Sequence, residues 1–176
     1  LAAIRAAELI DYQDVRRARR YVDFVLAAAA REAAVMGRTG AVTQAVARYH
    51  YKLLAYKDEY EVARLHLRDS MAAAVETSFS APVRVGWQLH PPLLRALGLR
   101  RKLDLGPWFR PAFALLRASR RLRETPLDPF GRARVRREER ALIGWYEDLV
   151  THALARLTSA THARVAEIAA LPDAIR

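Results

Sequence analysis

The sequence contains no cysteine, little glycine and no long apolar run. Without cysteine, the chain cannot form disulfides, thiolate nucleophiles, zinc–thiolate sites or cysteine-ligated iron–sulfur clusters of its own. Seven glycines occur among the 176 residues, and neither a GxGxxG nor a GxxxxGK[ST] motif is present, which excludes the recognisable phosphate-binding loops. No apolar stretch approaches the roughly 20 residues that a membrane-spanning helix needs. The absence of cysteine fits a cytoplasmic protein, and we expect that location.

Charge of one sign dominates the chain. Thirty lysines and arginines face nineteen acidic residues, which gives a net charge of +11. Such a balance can attract nucleic acid, an anionic membrane or an acidic protein. Lysine supplies few of these charges (Lys52, Lys57 and Lys102), and alanine is abundant, so the excess of arginine is also what a GC-rich genome produces. Composition and function both remain open as explanations of the charge.

Apolar residues follow the period of an α-helix over most of the chain. They recur at steps of three and four from Val15 to Met36, where Gly37 follows, and again from Val42 to Leu67 with no glycine or proline inside. A third long helix is predicted over residues 134–157. Thr158 or Ser159 is expected to cap a last helix that ends before Pro172.

A short β insert interrupts the helical pattern. Alternation of apolar and polar residues over 83–89 predicts a half-buried strand that ends at His90-Pro91-Pro92, with residues 101–105 as its antiparallel partner. Gly106-Pro107-Trp108 opens another helix, and residues 124–131 form a loop because each proline disfavours helix at its predecessor. The sequence therefore predicts a single, mainly α domain over residues 1–176. We expect a bundle of about five to six helices with a small β-hairpin insert near residues 83–105.

No pattern of side chains points to catalysis or metal binding. The five histidines lack the i,i+4 spacing around a glutamate that a helical zinc site requires, so we predict no catalytic, cofactor-binding or metal-binding residue. Carboxylates do cluster near Tyr56. On a continuous helix Asp58 and Glu59 would point away from the Tyr56–Tyr60 seam, and local ion pairs would neutralise the cluster. This cluster is the candidate interface, and its residues are Tyr56, Lys57, Asp58, Glu59, Glu61 and Arg64.

Two arginine clusters are the remaining candidates for binding. They are Arg16, Arg17, Arg19 and Arg20, and then Arg132, Arg134, Arg136, Arg137 and Arg140. Neither cluster has interleaved Asn or Gln to read base edges, and aromatic stacking platforms are not evident. A solvated helix face is one interpretation, and docking of an acidic partner is the other. For docking, the candidate residues are Arg132, Arg134, Arg136 and Arg137.

Six short motifs follow one another along nearly the whole chain. They are KLLAYKDEYEVARL at residues 52–65, HPPLL at 90–94, GPW at 106–108, LDPFG at 127–131, REERALI at 137–143, and AALP at 169–172 followed by IR at 175–176. In this order they resemble the C-terminal region of single-chain indolepyruvate ferredoxin oxidoreductases, a family of 2-oxoacid oxidoreductases. Two departures concern the β insert: the loop between Leu94 and Arg101 is short, and residues 79–83 lack an expected acid.

The resemblance implies a parent enzyme rather than an activity of these residues. The parent reaction would be the thiamine-dependent oxidative decarboxylation of an aryl 2-oxoacid such as indolepyruvate, giving an acyl-CoA and reduced ferredoxin. Thiamine pyrophosphate, magnesium and 4Fe–4S clusters would belong to the parent, and no cofactor is expected in this chain. The first residue is Leu rather than Met, and we expect an excerpt from the C-terminal end of that larger multidomain enzyme.

Two functions of different classes follow from these observations. The first is a non-catalytic structural and interface domain that packs on the catalytic domains of its own polypeptide or across a homo-oligomer. Ferredoxin is a further partner in that case, and no membrane partner is expected. The second is a free-standing basic helical module that binds nucleic acid.

Overall fold

Helices make up most of the chain, and one short antiparallel strand pair accompanies them. The computed structural model describes residues 1–68, 77–78, 86–89, 98, 101 and 103–174. Its α-helices with defined bounds are α1 (Ala2–Tyr12), α2 (Val15–Met36), α3 (Ala41–Leu54), α4 (Glu59–His66), α5 (Arg110–Ala118), α6 (Arg134–Ala155) and α7 (His162–Ala169). Strands β1 (Trp87–Leu89) and β2 (Leu103–Leu105) pair antiparallel, with Trp87 opposite Leu105. The prediction of a mainly helical fold with a small β insert is confirmed.

The chain divides into two compact units. The first unit comprises residues 1–56 and 132–176, and the second comprises residues 57–131. Along the sequence, the second unit is therefore inserted between two parts of the first. The expectation of one domain over residues 1–176 stays a prediction.

The first unit is built by helix packing around apolar and tyrosine side chains. Helix α2 packs on α1, α3 and α6, and α3 also packs on α6 and α7. The most deeply buried members of this core that are larger than alanine are Leu9, Tyr12, Tyr21, Val42, Val46, Leu54, Tyr146, Val150 and Leu157. A buried tyrosine needs a partner for its hydroxyl. Tyr12, Tyr21 and Tyr146 each donate a hydrogen bond of 2.8 to 2.9 Å to a backbone carbonyl.

Helix α2 has the bounds that the sequence predicts. Asp14 is its N-cap and accepts a hydrogen bond of 2.9 Å from the Arg17 amide. Gly37 is its C-cap at a φ of 74°, which glycine adopts without the steric cost that a Cβ would add. The helix therefore starts and stops at residues suited to its ends.

The predicted continuous helix from Val42 to Leu67 is wrong. Helix α3 ends at Leu54, and α4 begins only at Glu59. Asp58 is the N-cap of α4, since its carboxylate accepts a hydrogen bond of 2.8 Å from the Glu61 amide. An Asp followed three residues later by Glu is a helix-start signal, and here it outweighs the unbroken apolar spacing.

The C-terminal bounds differ slightly from the prediction. Helix α6 ends at Ala155, and the N-cap of α7 is Thr161 rather than Thr158 or Ser159. Thr158 and Thr161 instead exchange hydrogen bonds between their hydroxyls and amides, at 2.9 and 3.2 Å, in the turn before α7. As predicted, α7 ends before Pro172, which lies in the 3-10 helix Leu171–Ala174.

The second unit has a small aromatic core. Its buried members are Ala63 of α4, Trp87 of β1, Leu105 of β2 and Phe113 of α5. The Trp87 and Phe113 rings meet edge to face with centroids 5.2 Å apart. Because two strands alone are only marginally stable, this packing on α4 and α5 supports them. The predicted opening at residues 106–108 is a 3-10 helix, Pro107–Phe109, which leads into α5, whereas the predicted strand end at His90 lies outside the described residues.

Candidate functional site

Asp58, predicted to point away from the buried seam, is instead a buried ion-pair partner. Its carboxylate accepts hydrogen bonds from Nε and Nη2 of Arg123, the latter at 2.8 Å, and the two side chains are 3% and 1% exposed. The guanidinium fork matches a carboxylate in this two-bond geometry. Together with the bond from the Glu61 amide, the pair fixes the start of α4 against the segment that follows α5.

A second carboxylate, Asp128, organises the loop at 124–131. It accepts hydrogen bonds from the Tyr60 hydroxyl at 3.1 Å and from the amides of Phe130 and Glu124 at 3.0 and 3.1 Å. A Cβ at Gly131 would lie 2.6 Å from this carboxylate, so the loop requires glycine there. Burial, with Asp128 beside it, raises the pKa of Tyr60 far above its ordinary value. Asp128 thus serves as an internal cap for the loop.

The rest of the candidate interface also lies largely inside its own unit. Glu61 and Arg64 form the predicted local pair, with both oxygen contacts at 2.7 Å, and both side chains are buried. Tyr56 is buried in the first unit, where its carbonyl accepts the Tyr12 hydroxyl. Lys57 is exposed and Glu59 is half-buried. Interface function for these six residues stays a prediction, and Lys57 is the most exposed member of the set.

A buried histidine that the sequence did not single out lies in the first unit. His50 is fully buried among the rings of Tyr21, Phe24 and Tyr146, and its Nε2 is 2.8 Å from Glu147. Burial lowers the pKa of His50, against the opposing effect of Glu147. A neutral ring that donates its Nε2 proton to Glu147 satisfies both facts.

Glu147 connects this histidine to the surface. Its carboxylate accepts two hydrogen bonds from Arg20, at 2.8 and 2.7 Å, in addition to the His50 contact. Burial alone would raise the pKa of Glu147, but the hydrogen bonds from His50 and Arg20 lower it to about 2. Arg20, a member of the first arginine cluster, therefore links α2 to α6 by an ion pair.

Glu32 is a further buried carboxylate, and the sequence predicted no role for it. Its side chain is fully buried and accepts hydrogen bonds from the amides of Gly40, Val42 and Thr43 at 2.7, 3.1 and 3.0 Å. The Thr43 hydroxyl and His162 Nε2 complete the set at 2.6 Å each. Burial opposes ionisation, yet these donors lower the pKa of Glu32 to about 2. Because the N-cap Gly40 has no side chain, Glu32 of α2 caps α3 from a neighbouring helix.

Two open grooves of the first unit are apolar rather than catalytic in character. One, of about 590 Å³, lies between α3 and α7 and is lined by residues such as Ala45, Arg48, Tyr49 and Ala166. The other, of about 260 Å³, lies between α2 and α6. Neither His50 nor Glu32 lines either groove. Across the described part of the chain, no group of His, Asp and Glu side chains is arranged to hold a metal ion.

The predicted docking arginines differ in how much of their charge is free. Arg134 pairs with Glu138 and Arg136 with Glu139, each at 2.7 Å. Arg136 also lies over the Tyr56 ring at 5.7 Å and is half-buried. Arg132 and Arg137 are exposed. These last two carry most of the charge that an acidic partner could meet.

An exposed apolar face lies on α5 and the 3-10 helix before it. Trp108 and Leu115 are each 70% exposed, and Pro111 lies between them on the same side. Their spacing of three and then four residues is that of one helix face. Arg110, Arg117 and Arg121 are also exposed, and residues 105–123 contain no acidic residue. No residue pattern around Trp108 predicts that its side chain is exposed.

Helix α1 also carries an exposed apolar face, and the residues around this face are net negative rather than positive. Ile4 is 67% and Ile10 is 43% exposed, and Ala3, Ala7 and Asp11 are exposed beside them. Residues 1–14 contain one base, Arg5, against three acids, so this end of a basic chain is net negative. Arg5 pairs with Glu8 at 3.0 Å on the helix itself.

The fold and these clusters define a helical protein whose buried ionisable groups hold its own elements together. Residues 1–176 match the sequence family described as "Family of unknown function (DUF6537)", and the chain belongs to this family. No curated protein matches the chain, and no solved structure matches it. Of the described helices, none combines the length and apolar character that crossing a membrane requires.

Proposed function

We propose that this chain is a non-catalytic structural and interface domain of a larger 2-oxoacid:ferredoxin oxidoreductase of the indolepyruvate type. One observation carries the proposal: the carboxylates that accept the most hydrogen bonds hold parts of this chain together. Asp58, Glu32 and Glu147 are each saturated by groups of this same chain. Asp58 and Glu32 are buried as well, whereas Glu147 is partly exposed. A carboxylate that already accepts several hydrogen bonds from its own chain is poorly placed to act as an acid or base on a substrate.

The motifs that resemble the oxidoreductase family agree with a structural role. Asp58 and Arg64 of the first motif form buried ion pairs, and Asp128 and Gly131 of the LDPFG motif determine a loop. The GPW motif begins the 3-10 helix that leads into α5. Because these motif residues stabilise the fold, they support a structural role for the domain.

The parent enzyme would supply the chemistry. Thiamine pyrophosphate, magnesium and 4Fe–4S clusters would bind elsewhere in the parent, and the whole enzyme would work in the cytoplasm. The domain would pack on catalytic domains or across a homo-oligomer. These statements rest on the resemblance of the six motifs.

Deletion of the domain from the parent enzyme tests this role. We expect loss of assembly or solubility first, with turnover falling only as assembly is lost, measured by light scattering and ferredoxin reduction. A matched control is Arg134→Met, which breaks a solvent-exposed ion pair and should leave assembly and solubility unchanged. A truncated enzyme that kept its oligomeric state, stability and turnover would show that the domain is not a scaffold.

Docking of acidic ferredoxin is a sharper form of the same proposal. Arg132 and Arg137 are exposed, so their charge can steer an acidic partner. Arg132→Glu with Arg137→Glu should slow ferredoxin reduction several-fold at low salt and little at high salt, because salt screens exposed charges. Arg16→Glu with Arg19→Glu changes the net charge equally at another exposed site. An equal effect of both pairs, or no effect of the first at low salt, rejects docking at Arg132 and Arg137.

Nucleic-acid binding is the second candidate, and the exposed Trp108 favours it. An exposed aromatic ring within residues 105–123, which hold five arginines and no acid, resembles the platforms that stack single-stranded bases. Such binding would appear in a gel shift with a labelled single-stranded oligonucleotide and would weaken steeply with salt. Trp108→Ala should then weaken it, and the absence of any shift at low salt would remove this candidate.

A further inference from the structure

We infer that the groove between α3 and α7 binds an α-amino acid with a large apolar side chain. The groove has a volume of about 590 Å³, which is that of a small-molecule site, and it lies wholly within the first unit. Its apolar lining consists of Leu1, Tyr49 and alanines of both helices, and its polar lining consists of Gln44, Arg48 and Glu167. The inference goes beyond the structural role proposed above and does not depend on the parent enzyme.

The hydroxyl of Tyr49 is the first reason. Tyr49 is only 9% exposed, and a tyrosine buried to this extent ordinarily has a partner for its hydroxyl. Tyr12, Tyr21 and Tyr146 of the same unit each donate to a backbone carbonyl. Among the described residues, none hydrogen-bonds the hydroxyl of Tyr49. Because Tyr49 lines the groove, a molecule bound there can supply the partner.

Two charges of opposite sign are the second reason. Arg48 of α3 and Glu167 of α7 both line the groove, and neither forms an ion pair with any residue that the structure describes. An α-amino acid carries a carboxylate that matches the guanidinium of Arg48 and an ammonium group that matches the carboxylate of Glu167. A ligand with a single charge would leave one of these two side chains without a counter-charge.

The alanine walls account for the apolar side chain of the ligand. Ala45, Ala166 and Ala170 line the groove and also pack on the core of the first unit, so the surface between the two helices is apolar. An apolar side chain that covers these alanines removes their surface from water. A phosphate or a nucleotide would be repelled by Glu167, and a hard cation would find a single carboxylate where it needs several oxygen ligands.

Isothermal titration calorimetry of the full chain with L-phenylalanine tests the inference. We expect saturable binding of one molecule per chain. L-phenylalaninamide lacks the carboxylate, N-acetyl-L-phenylalanine lacks the ammonium group, and L-alanine lacks the apolar side chain. Each of these three compounds should bind at least about tenfold more weakly, because each loses one of the three matched groups.

Charge variants show which side chain recognises which group. The Arg48→Gln variant should no longer discriminate between L-phenylalanine and its amide, and the Glu167→Gln variant should no longer discriminate between L-phenylalanine and its N-acetyl derivative. Arg19→Gln is the matched control, since Arg19 is exposed on α2 and lines neither groove. It should bind all four compounds as the wild-type chain does.

Tyr49→Phe separates a ligand contact from a structural one. This variant should weaken binding of L-phenylalanine several-fold and leave the urea midpoint unchanged, because no internal hydrogen bond is lost. Tyr146→Phe, which loses the bond to the Ala169 carbonyl, should lower the urea midpoint. If Tyr49→Phe lowered the midpoint as much as Tyr146→Phe, the Tyr49 hydroxyl would have a partner inside the chain, and the inference would be overturned.

Three further results would also overturn the inference. The first is no binding of L-phenylalanine at millimolar concentration. The second is binding that is unchanged in the Arg48→Gln, Glu167→Gln and Tyr49→Phe variants. The third is self-association of the chain that Ala41→Leu abolishes, because Ala41 is an exposed residue of the groove and a second copy would then be its occupant.

Discussion

Asp58 and Arg123 lie in the interior of the second unit, and neither could lie there alone. Removing a single charge from water costs several kcal/mol. The two-bond contact between them, together with the Glu61 amide, offsets that cost and orders two distant segments of the chain. Removal of either residue would deprive the other buried charge of this two-bond contact.

Substitution of one partner should therefore be severe. We expect Asp58→Asn, which keeps the helix cap, or Arg123→Met to lower the free energy of unfolding by about 3–5 kcal/mol. The measurement is urea unfolding followed by circular dichroism. Arg134→Met, at an ion pair whose side chains are 85% and 57% exposed, should cost less than about 1 kcal/mol. If the double variant lost the sum of both single losses, Asp58 and Arg123 would not be coupled.

Glu32 and His50 show what residue patterns could and could not predict. Glu32 continues the buried stripe of Tyr21, Val25 and Ala28 at helical spacing, so its burial was readable from the sequence. Its partners were not, because His162 is 130 residues away. His50 follows Tyr49 in a predicted helix, but its contact with Glu147 depends on how α3 and α6 pack. Tertiary packing thus decided both sites.

At the scale of the element, one glycine at a helix end requires its special conformation and another inside a helix does not. Gly37 ends α2 at a φ of 74°, a conformation that a side chain disfavours. Gly144 lies inside α6, where an added Cβ would meet nothing within 4 Å. Glycine inside a helix costs roughly 1 kcal/mol relative to alanine.

The same substitution should therefore change stability in opposite directions. We expect Gly37→Ala to lower the free energy of unfolding by about 1 kcal/mol, and Gly144→Ala to raise it by up to about 1 kcal/mol. Chemical denaturation of the two variants beside the wild-type chain measures both. Destabilisation by Gly144→Ala would mean that α6 needs a close approach at this position.

Element bounds were predictable where local signals agreed and not where they conflicted. At α2, apolar period, Asp14 and Gly37 all indicate the same bounds. Between α3 and α4 the apolar period continues through Tyr56 and Tyr60, and it concealed the cap at Asp58. The apolar residues on either side of this break are buried in different units, so the period did not indicate one helix.

Over the whole molecule, several ionisable groups make stability fall both in acid and in strong alkali. The pKa values of Glu32 and Glu147 are lowered from 4.5 to about 2, so their stabilisation is complete above about pH 4.5 and lost as pH falls toward 2. Burial lowers the pKa of His50 and His66. Below about pH 6.5 the unfolded chain therefore binds more protons than the folded one, and stability falls. Burial raises the pKa of Tyr21 to about 12, so its stabilisation is lost only above about pH 10.

We therefore expect the free energy of unfolding to be highest between about pH 7 and pH 10. Acid should remove on the order of 3 kcal/mol for each of Glu32 and Glu147. Urea midpoints measured at one-unit steps from pH 9 to pH 3 give the profile. The Glu32→Gln variant should be less stable at pH 7, and its urea midpoint should change less with pH below pH 4.5. A wild-type profile that stayed level down to pH 3 would contradict these pKa directions.

The insertion of residues 57–131 into the first unit has a consequence for synthesis on the ribosome. Helices α1 to α3 emerge first, but their core also requires Ile143, Tyr146 and Val150 of α6. At roughly 5–20 residues per second, translation of the inserted unit delays α6 by about 4–15 s. Nascent chains stalled at residue 131 should accordingly remain sensitive to protease in α2 and α3, and should become resistant once the last helices have left the exit tunnel.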